Sequence, residues 1–183
     1  MDYTIKGIEF MGDNVKERLK YCGEGVRVHP LAKIYKPEMV ELDDYSVIAD
    51  FVFLWGGGGI KIGKYSKMTW HTLIEGDGKT NIGDRVFIGP GTKIITGLYD
   101  YKDGLRMVDN LPEGQARAIR GTIVIQNDVS VSANCVILPN ITIGEGAVVG
   151  ANSLVKTDLE PWGVYAGNPV RKIADRSKIT FND

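Results

Sequence analysis

From residue 28 onward the chain falls into six-residue units, each opening on an aliphatic residue or Met. The openers are Val28, Ile34, Leu42, Ile48, Leu54, Ile62, Met68, Ile74, Ile82, Ile88 and Ile94. After a gap they resume at Ile125, Val131, Ile137, Ile143, Val149 and Val155. The fifth position of a unit is usually small or β-branched, as at Ala32, Ser46, Val52, Ser66, Thr72, Val86, Thr92, Val129, Cys135, Ala147 and Ser153. Self-similarity at a short fixed period predicts a solenoid. Three short parallel strands make one triangular coil, with each opener pointing into the shaft. The small fifth residue leaves room where two sides meet. Stacked coils pair along the axis, and about six of them, roughly 4.8 Å apart, give a prism roughly 27 Å tall.

The irregular steps carry information of their own. Ile34 to Leu42, Leu54 to Ile62 and Ile74 to Ile82 are eight residues apart instead of six, and these long steps recur every 20 residues. One corner of the prism therefore bulges in successive coils. Gly56-Gly57-Gly58-Gly59 and Glu75-Gly76-Asp77-Gly78 occupy two of the bulges. The long gap after Ile94 leaves from that same corner, so residues 95–122 are expected to form one protruding excursion. An excursion of that length usually serves function.

The ends depart from the repeat. Asp13 to Tyr21 has an N-cap Asp and helical composition, and residues 170–178, after Pro169, read as a short basic helix. Either helix would cover an open end of the prism, whose unpaired edge invites aggregation. The expected organisation is a cap segment over 1–25, a repeat domain over 26–165 carrying the loop 95–122, and a tail over 166–183. The fold class is all-β.

Composition agrees and removes alternatives. The chain has 183 residues, with 19 Ile and 17 Val against 11 Leu, and 23 Gly. Gly is well above its usual share of roughly 7%. Such a mixture favours short strands with many turns over a helical bundle. A formal net charge of −1 offers no electrostatic footprint for nucleic acid or an anionic membrane. No apolar run is long enough for membrane insertion. The first 21 residues carry charges where a secretory leader needs an apolar stretch. With two cysteines, Cys22 and Cys135, a disulfide framework is not expected, and the default location is cytoplasmic. The two histidines, His29 and His71, exclude a metal site needing three imidazoles from one chain, and no metal is expected to be required.

Two blocks near the C-terminus are more specific than the repeat: Ile137-Leu138-Pro139-Asn140-Ile141-Thr142-Ile143-Gly144 and Ala166-Gly167-Asn168-Pro169-Val170-Arg171. In this order they resemble the signature end of the hexapeptide-repeat acyltransferases, and the likeness extends over residues 26–173. The resemblance implies a left-handed parallel β-helix, a homotrimer, and acyl transfer from acetyl-CoA bound in a groove between subunits. It also implies the donor-binding residues. Ala133, Gly150, Ala151 and Thr157 would line the pantetheine arm. Pro169 and Val170 would pack near the adenine, and Arg171 and Lys172 would meet the phosphates, where a planar guanidinium suits bidentate contact.

Many members of that family carry a catalytic His in the protruding loop, whereas Tyr99 stands where it is sought here. A phenol with a reference pKa near 10 is a poor base at neutral pH. The remaining candidate is His71, the fourth residue of its hexad, expected to project from a flat face beside the corner that carries Glu75 and Asp77. An imidazole near pKa 6.5 can take a proton at pH 7, and Glu75 is the carboxylate placed to orient it. Asp50, Asp77 and Asp100 are candidates for holding sugar hydroxyls or an ammonium, and Trp55, Trp70 and Tyr99 for stacking on a sugar. The favoured acceptor is the amino group of a nucleotide-linked amino sugar in surface polysaccharide biosynthesis. The alternatives are sugar O-acetylation of the galactoside or maltose type and a non-catalytic trimeric scaffold.

Overall fold

The computed structural model describes residues 10–108 and 110–181. All seventeen openers are buried, none more than 4% exposed, and so are the eleven small fifth residues. Each opener sits at the inward position of a strand only two to four residues long, which is why the repeat period is six: two or three residues per strand, then a turn.

The strands stack into three parallel sheets, the faces of a prism. The first face runs Tyr21–Cys22, Val40–Leu42, Ile60–Ile62, Lys79–Ile82, Thr122–Ile125 and Thr142–Ile143. The second runs Arg27–Val28, Val47–Ile48, Lys67–Met68, Phe87–Ile88, Ser130–Val131, Val148–Val149 and Gly163–Gly167. The third runs Lys33–Tyr35, Phe53–Trp55, Leu73–Glu75, Lys93–Ile95, Val136–Ile137 and Leu154–Val155. Register is in phase from coil to coil, Ile74 pairing with Ile94 and Ile94 with Ile137. Identical inward positions thus form continuous columns along the shaft.

Left-handed residues occur on all three edges, at Lys36, Asp77 and Asn140 on the one between the third and first faces, and on the other two they recur at the turn from coil to coil. Between the first and second faces these are Tyr45, Tyr65, Arg85 and Asp128; between the second and third they are Phe51, His71, Asn134 and Asn152. The next residue turns inward and must be small. Ser66 shows how a polar residue fits there: its hydroxyl donates to the Gly83 carbonyl (2.7 Å) and accepts from the Val86 N–H (2.9 Å). The edge between the third and first faces is the bulged one. The excursion leaves from it after Lys93–Ile95, as the spacing indicates, but it carries structure of its own. Gly97–Tyr99 pairs antiparallel with Ala118–Arg120, forming a hairpin stalk.

The ends differ from expectation. The N-terminal turn is a 3₁₀ helix over Gly12–Arg18 that follows Met11, with Asp13 in its first turn and not at the cap. It buries Val15 against the end of the shaft. The first coil already begins at Tyr21–Cys22, inside the segment expected to be a cap. The C-terminal helix expected over 170–178 is absent. Val170–Asp175 is a strand, antiparallel to Gly163–Gly167. Its basic composition reads as helical, yet the exposed N–H and C=O groups of the last parallel strand decide the outcome by pairing with it. No helix among the described residues is long and apolar enough to cross a membrane.

Candidate active site

The structure distributes the candidate residues over two edges of the prism. His71 is a corner residue with φ 60°, because the fourth position of a hexad is where the coil turns. It therefore stands on the edge between the second and third faces and not on the flat face expected from sequence. Its ring is exposed and lies on Phe51 of the coil below, centroids 4.9 Å apart and planes within 4°. Neither ring nitrogen meets a hydrogen-bond partner among the described residues. Trp70, beside it, is 49% exposed. Asp50 is on the same edge one coil earlier. It is turned away from His71, accepting from the Leu31 N–H (2.9 Å) and lying 3.4 Å from His29 Nδ1.

Ala133, Gly150 and Ala151 continue that edge in the later coils, where the outer surface is free of large side chains. Gly150 abuts the terminal hairpin: its N–H donates to the Tyr165 carbonyl (2.7 Å), and a Cβ there would meet the Ala166 methyl at 3.0 Å. Ser153 ties the same region together, donating to the Gly150 carbonyl (2.6 Å) and accepting from the Gly167 N–H (3.1 Å). Pro169, Val170, Arg171 and Lys172 form the turn and outer strand of that hairpin. Lys172 is paired with Asp175 at 2.6 Å, which raises its pKa. Thr157 lies apart from this group, beyond Val155 at the other end of the third face.

The second edge is acidic and glycine-rich. Glu75, Asp77, Tyr99, Trp55, Leu98 and Arg120 line a groove of about 300 Å³ between the bulged corner and the hairpin stalk. Glycine is required here because backbones touch. A Cβ at Gly76 would stand 2.1 Å from the Gly97 nitrogen, and one at Gly58 would stand 2.3 Å from the Gly78 oxygen. Thr96 locks the stalk to the corner, donating to the Glu75 carbonyl (2.6 Å) and accepting from the Gly78 N–H (2.9 Å).

Asp100 is not in this groove. It is 7% exposed and committed to the hairpin. Its carboxylate accepts from the Lys102 N–H (3.0 Å) and from Arg117 Nε (2.9 Å) and Nη2. The Lys102 N–H and then the Arg117 guanidinium hold its pKa below the usual carboxylate range. Arg117 also reaches Asp103 at 2.9 Å.

Within this chain His71 and Glu75 are therefore not partners. They stand at opposite ends of the strand Leu73–Glu75, roughly 10–13 Å apart along an extended chain. The groove residue missed in sequence is Arg120. The stalk pairing of Gly97 with Arg120 and the parallel register of Lys79 with Thr122 together set it beside the coil bearing Asp77, 43 residues earlier.

A phased hexapeptide prism with small residues along one edge and an acidic groove beside a hairpin is the architecture of a hexapeptide-repeat transferase. The chain belongs to the hexapeptide-repeat acyltransferases. The family described as bacterial transferase hexapeptide (six repeats) matches residues 122–157. The chain is 31% identical over 160 residues, 87% of its length and 83% of the relative's, to dTDP-4-amino-4,6-dideoxy-D-glucose acyltransferase of Escherichia coli. Among solved structures it is similar to AntD, an N-acyltransferase from Bacillus cereus in complex with dTDP and 3-hydroxybutyryl-CoA. That likeness has a TM-score of 0.83 and 29% identity, covering 93% of this chain and 92% of that one. A hexapeptide-repeat acetyltransferase from Vibrio cholerae O1 biovar eltor, complexed with acetyl-coenzyme A, aligns with a TM-score of 0.64 and 25% identity, over 90% and 75% of the two chains.

Proposed function

We propose that this chain transfers an acyl group, acetyl in the first instance, from CoA to the amino group of a nucleotide-linked amino sugar. It does so as a homotrimer, with each site built between two protomers. The observation that carries the reading is the separation of the chemistry onto two edges. One edge has the bare path of Ala133, Gly150 and Ala151 leading to His71. The other has the carboxylates of Glu75 and Asp77 in a groove beside Tyr99. A neighbouring copy related by a three-fold axis brings one kind of edge against the other, so that a site incomplete in one chain is completed by the next.

The donor path supports this. From the level of Ala151 to that of His71 is three coil rises, about 14 Å, a span suited to an extended pantetheine arm lying along the edge. Backbone amides of the coils pair with its amides, and the small residues permit the approach. Arg171 and Lys172, on the terminal hairpin, are placed for the phosphates at the far end.

The chemistry follows. The acceptor arrives as an ammonium and is received by Asp77. Its nitrogen must be neutral to attack, and His71 is the group that takes the proton. A C–N bond then forms at the thioester carbonyl as the C–S bond breaks, and the second proton that the nitrogen sheds goes to the departing sulfur, which leaves as free CoA thiol. Glu75, from the neighbouring protomer, meets the imidazole and fixes its tautomer. Tyr99 and Trp70 pack against the sugar. Asp50 shapes the edge below His71, and Asp100 acts at a distance by holding the hairpin.

The test is an acceptor panel with acetyl-CoA, read by thiol release. The reading expects turnover with dTDP-4-amino-4,6-dideoxy-D-glucose and none with a simple galactoside. Turnover of the galactoside alone would replace it with O-acetylation. His71→Ala is expected to lose roughly 100-fold or more in rate.

A further inference from the structure

Asp77 is held more closely than a surface carboxylate on a bulge needs to be. Its backbone is left-handed (φ 58°), and the side chain folds back along the prism axis onto the preceding coil. There Oδ1 accepts the Trp55 indole N–H at 2.5 Å. Trp55 is itself fixed, stacked on Tyr35 with centroids 4.4 Å apart, tilted against Phe53 at 6.3 Å, and beneath Lys36 Nζ at 5.9 Å. The space for the carboxylate comes from Gly57. A Cβ at that position would lie 1.7 Å from Asp77 Oδ1, so any side chain there evicts it. Gly57 does not have positive φ; it is needed for volume and not for backbone freedom. On the other side, Asp77 Oδ2 lies 3.7 Å from Arg120 Nη2, on the return strand of the stalk.

We propose that Trp55 is a positioning residue, with Gly57 as its spacer, and that together they preset Asp77 so that Oδ2 alone is offered to the acceptor's amine. Arg120 is the cation that stands by this oxygen until the amine arrives. The inference rests on the reading of Asp77 as the amine's partner. The indole N–H occupies one oxygen and leaves the other to form a single directed, charge-assisted hydrogen bond. Arg120 contributes a guanidinium, a planar cation with donors only, and serves as a charge to be exchanged. An ammonium replaces it at Oδ2 with charge matched. A sugar hydroxyl brings no charge and gains nothing from the exchange. The arrangement therefore selects amine over hydroxyl at the same sugar carbon.

The experiment measures calorimetric binding of dTDP-4-amino-4,6-dideoxy-D-glucose and of the matching 4-hydroxy nucleotide sugar to wild type, Trp55→Phe and Gly57→Ala. Trp55→Phe keeps a ring on Tyr35 and deletes only the N–H. Gly57→Ala retains the indole in the sequence, but its Cβ, 1.7 Å from Asp77 Oδ1 and 2.8 Å from Trp55 Nε1, drives the two groups apart. Each variant is expected to weaken the amino sugar about tenfold or more, the scale for losing one hydrogen bond to a charged group. The 4-hydroxy compound and acetyl-CoA should bind within twofold of wild type. Equal losses for both nucleotide sugars, or no loss for the amino sugar, would overturn the positioning role. A wild type that binds the amino sugar without acylating it would overturn the functional reading and leave the positioning result standing on its own. No binding to wild type overturns both.

Discussion

Replacing Gly76 with Ala puts a single methyl where two backbones meet. The added Cβ would lie 2.1 Å from the Gly97 nitrogen and 2.7 Å from its Cα. Neither atom belongs to a flexible side chain, so the root of the stalk must move. Restoring ordinary contact, which begins near 3.4 Å, displaces Gly97 by about 1 Å relative to the corner, a shift on the scale that mutations far from the chemistry can impose. The φ of +109° adds backbone strain of about 1–3 kcal/mol for a residue with a side chain. The strain is local and leaves the shaft columns untouched, so the fold survives. The stalk carries Tyr99 and Arg120, whereas the corner carries Glu75 and Asp77, and the groove exists only in their alignment. A misplacement of about 1 Å costs on the order of 100-fold in rate. The assay is kcat/KM for the amino sugar by thiol release, with circular dichroism to check the fold. A variant that folds and keeps kcat/KM within threefold of wild type would refute the claim that the stalk and the corner form one site.

Ile137→Ala and Val136→Ala test the shaft. Ile137 is fully buried in a column between Ile94 and Val155, so its loss should cost about 2–5 kcal/mol. Val136, its outward neighbour, should cost under about 1 kcal/mol; similar midpoint shifts in guanidinium for both would contradict the register. Asp100→Asn should loosen the hairpin, seen as faster amide exchange across 97–120. The same loosening should appear in wild type at acid pH. Because the folded pKa of Asp100 is lowered, its contribution is complete above the ordinary carboxylate value near 3.9 and is lost as pH falls through the folded value. Amide protection across 97–120 left unchanged by Asp100→Asn would count against the anchor.

The solenoid was legible because each hexad solves the same local problem. An inward aliphatic, a left-handed corner and a small inward residue recur with a short period, so seventeen openers report one structure many times over. The bulged corner and the origin of the excursion were legible for the same reason, as departures from a regular count. The terminal strand Val170–Asp175 was not, because its conformation is set by the open edge of Gly163–Gly167, a tertiary partner that local composition does not reveal. His71 shows a finer limit. The repeat fixes its position in the hexad, but whether the fourth position is a face or a corner depends on where the backbone turns, and that moves the imidazole to a different edge from Glu75. Asp100 turns inward for Arg117, a contact made only across the antiparallel hairpin. Long-range pairings of this kind leave no periodic trace.

The central claim is that one site takes His71 from one protomer and Asp77 from its neighbour. Subunit complementation tests it directly. His71→Ala and Asp77→Ala chains are each made inactive, then unfolded together at equal amounts and refolded as mixed trimers. If the site spans two copies, random mixing gives both intact groups at about one site in four, and about a quarter of wild-type activity returns from two inactive parents. If the two groups act within a single chain, no mixed site is whole and activity stays at the parental level, which would contradict the account.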